Sequence, residues 1–128
     1  MCSVDNLQGR SVVLDALCEF KDGRQCVIEV QKDNNDDHQK RVRYNTSLVT
    51  VNITDPGVKF EKVPTVIGIF ISKFDIFNKQ KAVYHVDRVI RETGTIVDNG
   101  LYEIYVNTKI EDGSDIAELM KLFKNQDA

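Results

Sequence analysis

Residues 12–31, Val-Val-Leu-Asp-Ala-Leu-Cys-Glu-Phe-Lys-Asp-Gly-Arg-Gln-Cys-Val-Ile-Glu-Val-Gln, constrain this chain more than any other stretch. They read as two apolar strands joined by a Lys-Asp-Gly turn, with one acid inside each strand. A carboxylate in an apolar strand is costly to desolvate unless positive charge sits beside it. The turn decides the register. In a three-residue loop Lys21-Asp22-Gly23, a type I turn leads into a left-handed residue, a conformation glycine tolerates. Phe20 then pairs with Arg24, and counting back brings Asp15 opposite Glu29. Strand alternation puts Asp15, Glu29 and Gln31 on one face. Val12, Leu14, Ala16, Cys18, Phe20, Cys26, Ile28 and Val30 share the other and make a consistent core face. A two-residue loop would slip the register by one and separate the acids, so the core pattern favours the longer loop. Two carboxylates on one face of adjacent strands suit a hard divalent cation, Mg2+ or Mn2+, with the Val30 carbonyl as a third ligand.

The remaining chain is read against that hairpin. A length of 128 residues makes residues 1–128 a single domain with room for a real core. With 41% hydrophobic and 29% charged residues it is an ordinary folded chain. The formal net charge of −3 gives no general attraction for a polyanion. DNA would have to be met by a local basic patch, or by a metal that neutralises the acids. No apolar run is long enough to span a membrane, and no basic stretch precedes an apolar one at the N-terminus. The expectation is a cytoplasmic protein with no membrane partner. Three cysteines, Cys2, Cys18 and Cys26, lack metal-type spacing. Cys18 and Cys26 face each other in the register and are expected as buried thiols.

Residues 1–10 read as a polar lead-in. Strands are expected over Arg10–Phe20 and Gln25–Lys32. Asn34-Asn35-Asp36-Asp37 caps a helix from His38 to about Val51, with Leu48 and Val49 toward the sheet. Asp55-Pro56-Gly57 ends it. Val63–Ser72, nearly all apolar, reads as a central strand covered on both faces. Phe74, Ile76 and Phe77 anchor the connection that follows. Ala82–Glu92 and Leu101–Thr108 alternate as strands, with turns at Thr93-Gly94 and Asp98-Asn99-Gly100. Ser114 or Asp115 caps a last helix striped by Ile116, Leu119, Met120 and Phe123. The order β-β-α-β-β-β-α gives an α/β (α+β) fold, a mixed central sheet with flanking helices.

On the residues alone two readings stand. Asp15 and Glu29 hold a cation, or Asp15 pairs with Arg or Lys while Glu29 lies on a solvated face. The densest basic patch, His38-Gln39-Lys40-Arg41-Val42-Arg43, is either a solvated helix face or a contact for phosphates. His38 and His85 have no evident carboxylate partner and read as neither ligands nor bases.

Several ordered motifs carry a resemblance. Asp15, Asp22-Gly23-Arg24, Val27-Ile28-Glu29-Val30-Gln31 and Arg41-Val42-Arg43-Tyr44 resemble the PD-(D/E)XK nuclease family transposases, relatives of the recombination-promoting nucleases called Rpn. So do Ile71–Phe77, Leu101–Asn107, and Gly113-Ser114-Asp115-Ile116 with Leu119-Met120. The similarity spans about residues 10–124. It implies a restriction-endonuclease-like core β-β-α-β, followed by two further strands and a C-terminal helix. It also implies a metal-dependent endonuclease that hydrolyses phosphodiester bonds of double-stranded DNA. Asp15, Glu29 and the Val30 carbonyl would hold Mg2+ or Mn2+; Asp15, Glu29 and Gln31 would be catalytic, Gln31 standing where the wider superfamily more often has Lys. Lys40, Arg41, Arg43 and Tyr44 would touch DNA phosphates. Leu14 replaces the motif's Pro. Family members usually begin with an N-terminal helical region and continue past the last helix, so this chain reads as shortened. The competing expectation is an inactive remnant used for binding or oligomerisation, with a homodimer covering the sheet face left open.

Overall fold

The computed structural model describes residues 2–4 and 14–109. In order these form β1 (Cys2–Val4), β2 (Leu14–Glu19), β3 (Gln25–Gln31), α1 (His38–Ile53), a 3-10 turn (Phe60–Lys62), β4 (Val66–Ser72), β5 (Val83–Val86), β6 (Arg88–Ile90), β7 (Thr95–Val97) and β8 (Leu101–Asn107). Six strands make one sheet in the order β1-β2-β3-β4-β8-β5, while β6 and β7 form a separate ribbon. The centre is parallel, β3 to β4 to β8, and the remaining pairs are antiparallel. This is the mixed α+β architecture that the sequence predicts.

The hairpin turns as its glycine demands. Gly23 sits at φ +94°, Phe20 N–H donates to Arg24 O at 2.8 Å, and Gly23 N–H to Phe20 O at 3.0 Å. Asp22 accepts from the Arg24 backbone at 3.1 Å and from its Nε at 2.8 Å, which ties the loop from inside. The three-residue register follows: Asp15 lies opposite Glu29, and Cys18 opposite Cys26. Cys18 is disulfide-bonded and Cys26 is the free, buried thiol. That corrects the expectation of two thiols.

Asp37 caps α1, its carboxylate accepting from Lys40 N–H at 3.1 Å. The helix runs two residues past the expected end. Its later turns are rich in hydroxyls, which fold back on the helix itself. Thr46 donates to Val42 O at 2.8 Å, Ser47 to Arg43 O at 2.7 Å and Thr50 to Thr46 O at 2.8 Å. Paired this way, polar side chains can lie against the sheet without an unpaired group. His38, Val42, Asn45, Thr46 and Val49 are buried there. Leu48 is only half-buried, so Val49 makes the contact expected of both. Gly68 permits the approach: a Cβ there would lie 2.8 Å from Thr46 Cγ2 and 3.1 Å from Val42 Cγ1.

Both faces of β4 are apolar and covered, as its composition predicts. Under α1, Val27, Val49 and Val66 cluster with Leu17, Ile53 and Leu101. Val42, Phe70 and Tyr105 gather Phe74, Ile76, Phe77 and Tyr84. On the opposite face lie Cys18, Phe20, Cys26, Ile67, Ile69 and Val106. Glu29 therefore lies on a second buried face rather than on the outside of a one-sided core.

Other differences are local. The lead-in contributes β1, which pairs along β2. The strand expected over Ala82–Glu92 breaks at Asp87. Its first half is the edge of the main sheet, and its second half pairs with β7 in an exposed ribbon. Every residue of β6 and β7 is exposed, so no buried face imposed the alternation that would have marked β7. Arg10–Val13 and the last helix, with Ser114, Asp115, Ile116, Leu119, Met120 and Phe123, lie outside the described residues.

Candidate active site

Three strands and the helix converge on Glu29. Its β3 position pairs with Asp15 on one side and Phe70 on the other. Directly opposed residues of an antiparallel pair share a face with Cβ atoms about 4.5–5.5 Å apart. Glu29 is 2% exposed, and Asn45, one residue before Thr46 on the buried stripe of α1, donates its Nδ2 to Glu29 Oε1. A carboxylate this deep needs such donors to remain charged. Asn45 was not singled out from sequence. Its signal was there: a poor helix former in a helix interior, three residues after Val42.

Gln31 lies two residues on, in register with Ser72. It is 7% exposed, and among the described residues its Nε2 has no hydrogen-bond partner. Ser72 Oγ donates to Phe74 O at 2.7 Å. An unpaired buried amide costs about 1–3 kcal/mol and marks a place where a ligand or water belongs. Val30, between them, stands between Leu14 of β2 and Ile71 of β4.

The oxygens that β3 contributes here are those of the Glu29 carboxylate, the Val30 carbonyl and the Gln31 amide, with Asp15 opposite Glu29 in the register. All are hard oxygens, which suit Mg2+ or Mn2+ and not a thiolate-loving metal. Among the described residues no group of three or more His, Cys, Asp and Glu is arranged for a metal.

Next to this face the aromatic cluster is tied down. Tyr105 donates to Glu103 Oε1 at 2.7 Å. Burial first, then the Glu103 hydrogen bond and charge, then the charge of Glu29, push its phenol well above the usual range. Tyr84 donates to Asp75 Oδ1 at 2.6 Å and accepts from the Lys79 and Lys81 backbones at 3.1 and 3.2 Å. Asp75 also accepts from Asn78 N–H and Gln80 N–H, at 3.0 and 2.9 Å. The Tyr84 bond above all holds the Asp75 carboxyl below its ordinary value. Asn78 and Gln80 sit at φ +55° and +58°, strained positions that this network keeps in place.

His38 opens α1 at the same end. It is 2% exposed, and its ring lies 5.0 Å from Phe70 and 5.2 Å from Phe74. Among the described residues neither ring nitrogen has a partner in good hydrogen-bond geometry, although the Asp33 carbonyl is near enough to favour a proton on the ring. Burial and then the Arg41 charge lower its pKa, against an upward pull from Asp36, the Asp33 carbonyl and Asp37. With Asn34, Asp36, Asp37, Gln39 and Ile76 it lines a cleft of about 400 Å³.

The expected phosphate contacts lie on other sides of α1. Lys40 is exposed, 3.8 Å from Asp37. Arg41 is half-buried, its Nη2 3.2 Å from Asp36 Oδ2. Arg43 and Tyr44 are exposed. It is Asn45, beside Tyr44, whose amide donates to Glu29.

The family model described as PD-(D/E)XK nuclease family transposase matches residues 2–121. No curated protein and no solved structure matches the chain. Among the described residues no helix is long and apolar enough to cross a membrane.

Proposed function

The chain belongs to the PD-(D/E)XK nuclease family transposases, and from that premise we propose that it is a metal-dependent DNA endonuclease hydrolysing phosphodiester bonds. The observation that carries the reading is the pairing of Asp15 with a buried, Asn45-held Glu29, with the unpartnered Gln31 amide two residues away. Asp15, Glu29 and the Val30 carbonyl would hold Mg2+ or Mn2+. When bound, such a cation supplies an activated water and offsets the charge that develops on the phosphate. Asn45 fixes one Glu29 oxygen and so limits how the carboxylate can turn. The Gln31 NH2 donates to a phosphate oxygen or orients water, without adding the charge that Lys would bring. Lys40, Arg41, Arg43 and Tyr44 position double-stranded DNA through its phosphates. On this reading the protein works in the cytoplasm.

The test titrates Mn2+ and Mg2+ by calorimetry and follows nicking of supercoiled plasmid. Wild-type protein is expected to bind at millimolar concentration or tighter and to nick. Glu29→Gln, which preserves an oxygen for Asn45, and Glu29→Ala are expected to lose both. Wild-type protein that binds no metal overturns the proposal. A second reading, a nuclease scaffold serving as a self-association or binding module, draws on the exposed ribbon. Val89 is 53% and Ile96 61% exposed there, beside Ile90 and Val97. A dimer or DNA complex formed equally by wild type and Glu29→Gln, without turnover, favours it.

A further inference from the structure

We propose that the carboxyl-end rim of the parallel strands is a second nucleic-acid surface, on which lysines track the phosphodiester backbone. The proposal rests on the nucleic-acid reading above but not on catalysis. Lys32 follows the last residue of β3 and Lys73 the last of β4. Lys109 lies two residues past the end of β8, and the β4–β5 connection returns Lys79 and Lys81 to the same end. Backbone hydrogen bonds fix this juxtaposition. Lys73 N–H donates to Gln31 O at 3.3 Å, Thr108 N–H to Ser72 O at 2.9 Å, and Asn107 N–H to Ala82 O at 2.8 Å. Asn107 Oδ1 accepts from Lys109 N–H at 3.0 Å, and its Nδ2 donates to Lys81 O at 3.4 Å. With strands about 4.8 Å apart, Lys32, Lys73, Lys109 and Lys81 span roughly 15 Å.

All five lysines are exposed. The ion pairs of the described residues use Arg24, Lys40 and Arg41, and none of these five. Of the acids at this end, Asp33 beside Lys32 is exposed, and the others have partners. Asp75 is turned onto Tyr84, Asn78 and Gln80. Asp36 faces Arg41, and Asp37 caps α1. In a chain of net charge −3 this end thus gathers five lysines. The lysine backbones at 79 and 81 are pinned by the Tyr84 hydroxyl, so part of this charge sits on a fixed template. The rim borders the unpartnered Gln31 amide, in the crevice outside the strand ends where open sheets with parallel strands place ligands. Lysine, a point charge on a flexible stem, suits backbone contact without base reading.

The test measures anisotropy of a short fluorescent duplex against salt, in EDTA, so that metal and cleavage play no part. The five rim contacts contribute about −4.5 to the slope of log affinity on log salt, or roughly a 500-fold share of the loss from 50 to 200 mM. Lys32→Gln, Lys73→Gln, Lys79→Gln, Lys81→Gln and Lys109→Gln combined should cut the slope by about 4.5, leaving only what Lys40, Arg41 and Arg43 contribute, and each alone should reduce it by about 0.9. The single variants keep the test informative if the combined protein fails to fold. A slope lost instead in Lys40→Gln/Arg43→Gln, and kept in the rim variants, overturns the proposal. So does an acidic polypeptide that displaces the duplex at equal charge, which would make the rim a protein-binding surface. Nicking that fails while this slope is present refutes the catalytic reading and leaves the rim standing.

Discussion

Gly68→Ala tests whether α1 is held over the site by close packing. The added Cβ would meet Thr46 Cγ2 at 2.8 Å and Val42 Cγ1 at 3.1 Å, where carbon atoms prefer about 3.5–4.0 Å. Neither neighbour can rotate away cheaply, because both are β-branched and restricted at χ1 within a helix. The helix must withdraw by several tenths of an ångström. Overpacking of this kind costs about 1–3 kcal/mol. For a chain of this size that lowers Tm by roughly 3–15 °C. Thr46→Ser deletes the offending methyl but keeps the hydroxyl that donates to Val42 O. It should cost about 1 kcal/mol alone and restore part of the loss in Gly68→Ala/Thr46→Ser. Urea midpoints of the four proteins close the cycle, with a coupling of about 0.5–3 kcal/mol expected. Because Asn45 adjoins Thr46, Gly68→Ala should also weaken the hold on Glu29 and so loosen metal binding. An unchanged midpoint, or strictly additive losses, refutes the reasoning.

Three further outcomes are expected. His38→Phe keeps the stacking on Phe70 and Phe74 while removing two ring nitrogens that lack a well-placed partner among the described residues, so urea midpoints should rise by about 1–3 kcal/mol equivalent. The folded state resists a proton that the unfolded chain takes up near pH 6.5, so wild-type stability is full above that pH and falls below it, by up to about 1.4 kcal/mol per unit. The Phe variant should lose that component, and identical acid slopes for the two proteins would contradict the assignment. Tyr84→Phe strips the hydroxyl shared by Asp75, Lys79 and Lys81. It should cost about 1–3 kcal/mol and speed amide exchange at residues 79 and 81, with unchanged exchange counting against the network. Burial pushes the Cys26 thiol up to about 12, so native protein near pH 8 should resist alkylation until it unfolds. Prompt labelling of folded protein would show the thiol to be accessible.

The hairpin was legible because one glycine decides it. Lys21-Asp22-Gly23 admits a single register compatible with the core pattern, and that register pairs Asp15 with Glu29. The α1 cap and the central place of Val66–Ser72 follow from equally local signals. What stayed hidden is what depends on another element. Asn45 is an unremarkable helix residue until α1 lies on β3, and the small size of Gly68 matters only once Thr46 is above it. His38 looked idle because nothing local says that its ring will be shut between Phe70 and Phe74. The lysine rim is dispersed over residues 32–109 and gathers only when parallel strands end together. The β6–β7 ribbon has no buried side, hence no period to read.

The strand order has a consequence for the nascent chain. β4, Val-Ile-Gly-Ile-Phe-Ile-Ser, is uncharged and carries no proline, and in the finished sheet it lies between β3 and β8. Its second neighbour is the last strand of the order, residues 101–107. At about 5–20 residues per second, ribosomal synthesis leaves that edge open for roughly 2–7 s after β4 is made. An uncharged apolar edge is a template for pairing with another chain. A chain terminated before residue 101 carries the open edge permanently and is expected to aggregate, so the last strand acts as the chain's own protection against its most cohesive segment.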